Sequence, residues 1–146
     1  MKQRLFGTDG IRGIANQYPM TPEIMVKLGR ALTSMLKDEG RSSVRILIGR
    51  DTRISGDMIQ CAVAAGICSI SGEAVIAGIL PTPAISHLTV SQKFDAGIMI
   101  SASHNPYHDN GIKIFNSKGY KLSDKREDRI ESLLKNGLAS EAVQGD

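Results

Sequence analysis

Apolar positions along the chain change their spacing several times, and each change marks an element. From Thr21 to Gly40 they recur every three or four residues, with Leu28, Leu32, Met35 and Leu36 as a stripe. That is the period of an amphipathic helix. Thr21 is placed to cap it, Pro22 suits its first turn, Glu23 complements its dipole and Gly40 ends it. The run VRILIG at 44–49 is short and β-branched, which predicts a strand. SGDMIQCAVAAGICSISG predicts a second helix, capped by Ser55 and stopped near Gly72. AVIAGIL at 74–80 predicts a strand, and TPAISHLTV a short helix with Thr82 as cap. AGIMIS at 96–101 and GIKIFN at 111–116 predict two more strands. SDKREDRIESLLKNG predicts a closing helix that ends at Gly137.

Alternating strands and helices point to an α/β fold with a parallel sheet. The last two strands are separated by too few residues for a crossover helix, so they pair antiparallel. The expectation is a three-layer α/β/α domain with a mixed, mostly parallel four-stranded sheet. Its 146 residues make a single domain spanning 1–146. In such sheets ligands bind beyond the carboxyl ends of the strands. Three polar loops leave from those ends: GRDTRISG, PTP and SASHNPYHDNG. The glycine-rich opening FGTDGIRG is a fourth candidate for the same rim, though pattern alone does not place it.

Composition narrows the partners. The net charge of +3 is mild and suits an anionic small molecule. Only 4% of residues are aromatic and no basic stripe is present, so nucleic acid is not an expected partner. The run SDKREDRIE interleaves both signs and reads as a solvated helix face. No apolar stretch reaches membrane-spanning length, and Met1 to Gly7 carry no signal-peptide core. Neither a membrane partner nor secretion is expected, and the reading is cytoplasmic. Cys61 and Cys68 lie seven apart on one helix face, about 10 Å from each other, which is too far for a disulfide. Buried free thiols are expected.

The loop SASHNPYHDNG holds the densest chemistry. A serine hydrolase needs a base within reach of the hydroxyl. Ser103 and His104 are neighbours whose side chains point apart in extended chain, and no G-x-S-x-G elbow occurs. A zinc site from His104, His108 and Asp109 is disfavoured by Pro106 between the histidines and by the lack of H-E-x-x-H. A third reading makes Ser103 a phosphate carrier. A seryl phosphate brings nearly two negative charges and needs cations nearby. Arg12, Arg50, Arg53 and Lys113 are candidates, all in or beside glycine-rich turns. No nucleotide-binding glycine motif is present.

The segments FGTDGIRG, GRDTRISG, PTPA and SASHNPYHDNGIK together resemble the first domain of the α-D-phosphohexomutases. The resemblance runs from Leu5 to about Leu134. Finer details, PMTPE and AGIMISASHNPYHDNGIKIF among them, resemble the bacterial members that act on glucosamine phosphate. The resemblance implies that Ser103 carries the transferable phosphoryl group and offers a phosphate oxygen to a catalytic Mg2+. It implies Lys113 as general acid/base and His104 as a hydrogen-bonding neighbour. Arg12 and Asn105 fall to phosphate or substrate contact, and Arg50, Asp51 and Arg53 to the loop framework. The implied partner is a phosphosugar substrate, together with the remaining domains of a longer enzyme. The aspartate-rich D-G-D-x-D metal loop of the family does not occur in the chain, so this fragment alone is expected to be inactive. Two alternatives stay open: a phosphomannomutase or phosphoglucomutase, and a non-catalytic phosphosugar-binding module.

Overall fold

The computed structural model describes residues 4–136. Its elements are β1 (Ile11–Ile14), α1 (Pro22–Asp38), β2 (Arg45–Arg50), α2 (Gly56–Ser69), β3 (Glu73–Ile79), α3 (Thr82–Ser91), β4 (Ala96–Ile100), β5 (Asp109–Asn116) and α4 (Asp124–Asn136). The expected end of the last helix at Gly137 lies outside the described residues. Among the described residues no helix is long and apolar enough to cross a membrane.

The strands form one sheet in the order β1-β5-β4-β2-β3. β2 pairs parallel with both β3 and β4, while β5 runs antiparallel to β4 as expected. The sheet has five strands, not four. The fifth is β1, which pairs antiparallel with β5 over Ile11↔Ile112 to Ile14↔Asp109. Its sequence, IRGI, is four residues with an arginine and a glycine inside, and it has no apolar run to announce it. A ready partner edge on β5 makes it a strand.

Strand side chains alternate between two apolar layers. Ile46, Ile48, Ile98, Ile100, Ile112 and Ile114 face the layer shared with α1, α2 and α4. Leu47 and Met99 face the other, with Ile85 of α3. This gives the expected α/β/α layering, with α3 as the helix of the second face. Thr21 caps α1 through its Oγ1, which accepts from the Ile24 amide at 3.3 Å. Two other expected caps differ. Pro81 holds the cap position of α3 and Thr82 is its first helical residue. Ser55 stands at the cap of α2 but makes no capping bond. Its hydroxyl instead accepts from the buried Asn110 amide at 2.8 Å, which ties α2 to β5.

Cys61 and Cys68 are exposed rather than buried. The inner face of α2 is set by Ile59, Val63, Gly66 and Ile67. At 100° per residue the two cysteines fall on the opposite side. They do share one face, but it is the outer one.

α1 and α2 cross where each has a glycine. A Cβ on Gly29 would strike the Val63 carbonyl, and one on Gly66 would strike the Val26 carbonyl. In an ordinary helix interior Gly→Ala is stabilising by about 1 kcal/mol. Here Gly66→Ala is expected to destabilise by about 1–3 kcal/mol, because backbone cannot yield as a flexible side chain does. Chemical denaturation of the purified chain measures the sign.

Candidate active site

The opening loop lies along β5. Gly7 and Gly10 exchange backbone hydrogen bonds of 2.8 and 3.3 Å. Gly10 has a φ of 84°, and any Cβ there would collide with the Ile112 carbonyl. The tight turn therefore presses Thr8 and Asp9 toward β5. The next element, β1, sets Arg12 opposite Gly111. Directly opposed residues share a sheet face, and Lys113 is two further along that face. Gly111 leaves room for Arg12, whose Cγ would lie 2.9 Å from a Cβ at that position. Arg12 Nη1 donates to Asn105 Oδ1 at 3.1 Å, and its Nε is buried without a partner.

β4 is buried along its whole length and ends at Ile100. Ser103 follows three residues later and is exposed. Its φ of 53° puts it in the left-handed region, at a cost of about 1–2 kcal/mol for an L-residue. The loop is held from the β2 side by Arg53. Its guanidinium donates to the carbonyls of Ser103 (2.9 Å), Asn105 (3.0 Å), Pro106 (2.6 Å) and Asp109 (3.1 Å). Its Nε pairs with Asp51 at 3.2 Å. Five donors in a planar fork suit such convergence, which an ammonium would not match. Asp51 also accepts from the Ser101 hydroxyl at 2.7 Å. Arg50 has a different task and pairs with Asp57 of α2 at 2.9 Å. Asp51, Thr52, Arg53, Ile54, Ser103, Asn105 and Tyr107 line an open groove of about 490 Å³.

His104 is exposed. His108 is half-exposed, with Nε2 3.3 Å from Asp109 Oδ1. Lys113 is in a separate cavity of about 160 Å³, bordered by Phe6, Thr8, Asp9, Thr82, Phe115 and Glu127 among others. Its Nζ is 4.0 Å from Asp9. Arg12, Asn105 and Ser103 are thus gathered in one bonded loop system. Among the described residues no hydrogen bond or ion pair joins Lys113 to that loop.

Glu127 closes the cavity from α4 and is 2% exposed. Burial pushes its carboxyl above the ordinary value of 4.5, and the Lys121 ammonium works against that rise. At 3.4 Å between Lys121 Nζ and Glu127 Oε1, the pair is electrostatic rather than a well-aligned hydrogen bond. A carboxyl with a raised folded value binds its proton more tightly when folded. Stability from this group is therefore greatest in acid and falls as pH rises above 4.5 toward the raised value. Glu127→Gln is expected to flatten that fall, as read from melting curves across the acid range.

Mg2+ takes oxygen ligands in octahedral geometry, commonly one or two carboxylates beside phosphate. Around Ser103 the carboxylates are already engaged: Asp51 by Ser101 and Arg53, Asp109 by Asn105 and His108. Among the described residues no three His, Cys, Asp or Glu side chains gather to hold a metal. Among the described residues the donor set does not by itself fit the ion.

Residues 3–141 match the family described as phosphoglucomutase/phosphomannomutase, alpha/beta/alpha domain I. The chain belongs to this family. Among similar phosphohexomutases is the phosphoglucosamine mutase of Sorangium cellulosum, 51% identical over 140 residues, which are 96% of this chain and 29% of that protein. That of Clostridium novyi is 56% identical over 135 residues, 92% of this chain and 30% of that protein. The chain thus spans about 30% of the length of these relatives. A phosphoglucomutase/phosphomannomutase family protein from Burkholderia thailandensis shares the fold, with a TM-score of 0.80 and 24% identity over 93% of this chain and 31% of that one.

The phosphohexomutase loop contains two features that motif reading did not foresee. One is Asn110, fully buried, which donates to Ser55 and accepts from the Gly111 amide. An asparagine before a glycine reads as a turn, and nothing local signals a buried bridge. The other is Ser101, whose hydroxyl accepts from the Ser103 amide at 3.0 Å.

Proposed function

We propose that this chain is the phosphoryl-carrying first domain of a phosphoglucosamine mutase, which interconverts glucosamine 6-phosphate and glucosamine 1-phosphate. The observation that carries the reading is Ser103: an exposed hydroxyl just past a fully buried strand, on a loop that Arg53 bonds at four carbonyls. Support for the sugar comes from the names of the Sorangium and Clostridium relatives.

Phosphoryl transfer asks the protein mainly for position and for charge around the moving group. Phosphorylated Ser103 gives its phosphoryl group to a free hydroxyl of the sugar phosphate. The P–O bond to Ser103 breaks as the new one forms, and the hydroxyl proton leaves. The resulting bisphosphate returns its other phosphoryl group to Ser103, so the enzyme is regenerated and the phosphate has changed position. Lys113 takes the hydroxyl proton or lends its charge. Arg12 and Asn105 contact phosphate, and His104 hydrogen-bonds beside it. Mg2+, which phosphohexomutase chemistry calls for, would draw only phosphate oxygens of Ser103 from this chain. Its other ligands, the sugar-recognising surface and the second phosphate site belong to the rest of the full-length protein. Charged sugar phosphates do not cross hydrocarbon unaided, so the setting is cytoplasmic.

The deciding experiment is peptide mass mapping of the purified full-length protein, together with a coupled assay for glucosamine 1-phosphate. Phosphate on Ser103 with turnover is expected. An active enzyme with phosphate on Ser101 and a bare Ser103 rejects the assignment. A protein that turns over mannose or glucose phosphates instead is a different mutase, and one that binds phosphosugars without turnover is a binding module. The isolated chain is expected to fold yet show no turnover with Mg2+ and a trace of the bisphosphate, because two reactants are no longer held in line.

A further inference from the structure

We infer that Ser101 is a positioning residue for the Ser103 phosphoryl carrier, acting through the Ser103 backbone with Asp51 as its anchor. The inference rests on the reading of Ser103 given above. A left-handed serine in an exposed loop relaxes unless its own backbone groups are tied. Both are tied here by side chains. The Ser103 amide donates to Ser101 Oγ at 3.0 Å, and the Ser103 carbonyl accepts from Arg53 Nη2 at 2.9 Å. The two tethers end on one carboxylate oxygen. Asp51 Oδ2 accepts from Ser101 Oγ at 2.7 Å and from Arg53 Nε at 3.2 Å. Asp51 is in turn fixed to the end of β4, since its amide donates to the Ile100 carbonyl at 3.1 Å.

The hydroxyl at 101 is the one group in this harness that works in both directions. Its single hydrogen goes to Asp51, which turns a lone pair toward the Ser103 amide. Alanine at 101 would leave that amide without its acceptor and leave Asp51 one donor short. Threonine would keep both bonds. The same commitment separates the two serines of the loop. The Ser101 hydroxyl is held by Asp51, whereas the Ser103 hydroxyl has no hydrogen-bond partner among the described residues. A harness of this kind sets where the Ser103 oxygen stands without touching the substrate. A misplacement of about 1 Å costs an in-line transfer about 10²-fold.

The test uses this chain and the full-length protein in parallel. In the chain, the Ser103 amide is followed by hydrogen exchange and by its HN–Hα coupling in NMR. Ser101→Ala is expected to speed exchange at Ser103 about tenfold or more and to shift the coupling away from its left-handed value, with the melting temperature little changed. Ser101→Thr is expected to match the wild type. In the full-length protein, Ser101→Ala is expected to lower kcat about 10²-fold with KM within about threefold, and Ser101→Thr to recover kcat. An unchanged Ser103 amide and coupling in Ser101→Ala overturns the inference. So does normal kcat for that variant in an active enzyme, or a failure of threonine to recover what alanine loses. If the wild-type protein lacks mutase turnover while the amide responds as expected, the functional reading fails and the harness stands.

Discussion

Ser103→Ala in the full-length protein is expected to abolish mutase turnover and to remove the bound phosphate. Removing a covalent nucleophile lowers kcat by on the order of 10⁶-fold in enzymes where the group acts as a unit with its surroundings. Here no second serine in the loop is free to take over. The Ser101 hydroxyl is committed to Asp51 and the Ser103 amide. His104 is exposed, and as an imidazole it would form a different, labile phosphoramidate. The fold should survive, because the Ser103 side chain packs in no core and its two backbone tethers do not depend on the hydroxyl. Alanine at a φ of 53° costs about as much as serine does, so the melting temperature should change little. Phosphate content and a coupled assay are read on the same sample. A variant that keeps both phosphate and turnover places the carrier elsewhere in the protein and removes the basis of the proposed function.

The parts of this fold that were legible in the sequence are those whose signal is local. β2 and β4 are β-branched runs buried on both faces, and α1 has a cap, a proline and a stripe that all agree. β1 was not legible, because a strand of four residues with one buried isoleucine exists only through its partner. The exposure of Cys61 and Cys68 was not legible for a related reason. Cysteine is commonly buried, but which side of a helix faces inward is settled by its neighbours, here Gly66 against Val26 and Ile59 and Val63 in the core. At the site, glycines, arginines and a serine–histidine–asparagine loop were visible as a crowd of polar groups beside a buried strand. Their bonding was not. Arg53 reaches four carbonyls between 50 and 56 residues away in sequence, and such convergence leaves no periodic trace.

Lys113→Ala in the full-length protein is expected to lower kcat by about 10²–10⁴-fold if the lysine moves the hydroxyl proton. The lysine stands on β5, on the sheet face it shares with Arg12, and its head is 4.0 Å from Asp9. Its side chain is 36% exposed, so its loss removes some packing of the stem, and a melting curve is read beside the activity to show that the variant is folded. Two roles are chemically open, and a second substitution separates them. Arginine keeps the positive charge but cannot give up its proton at working pH. If Lys113 serves as general acid/base, Lys113→Arg and Lys113→Ala should be similarly impaired. If its charge steadies the transferring phosphoryl group, arginine should recover much of what alanine loses. Single-turnover measurement with phosphorylated enzyme keeps the readout on the transfer step rather than on product release. The cavity that Lys113 borders also makes a geometric demand. Because no hydrogen bond or ion pair joins the lysine to the Ser103 loop among the described residues, the sugar hydroxyl must lie between them for either role to operate. Near-normal turnover of Lys113→Ala would mean that the hydroxyl proton leaves by another route, and that Lys113 serves only to pair with Asp9.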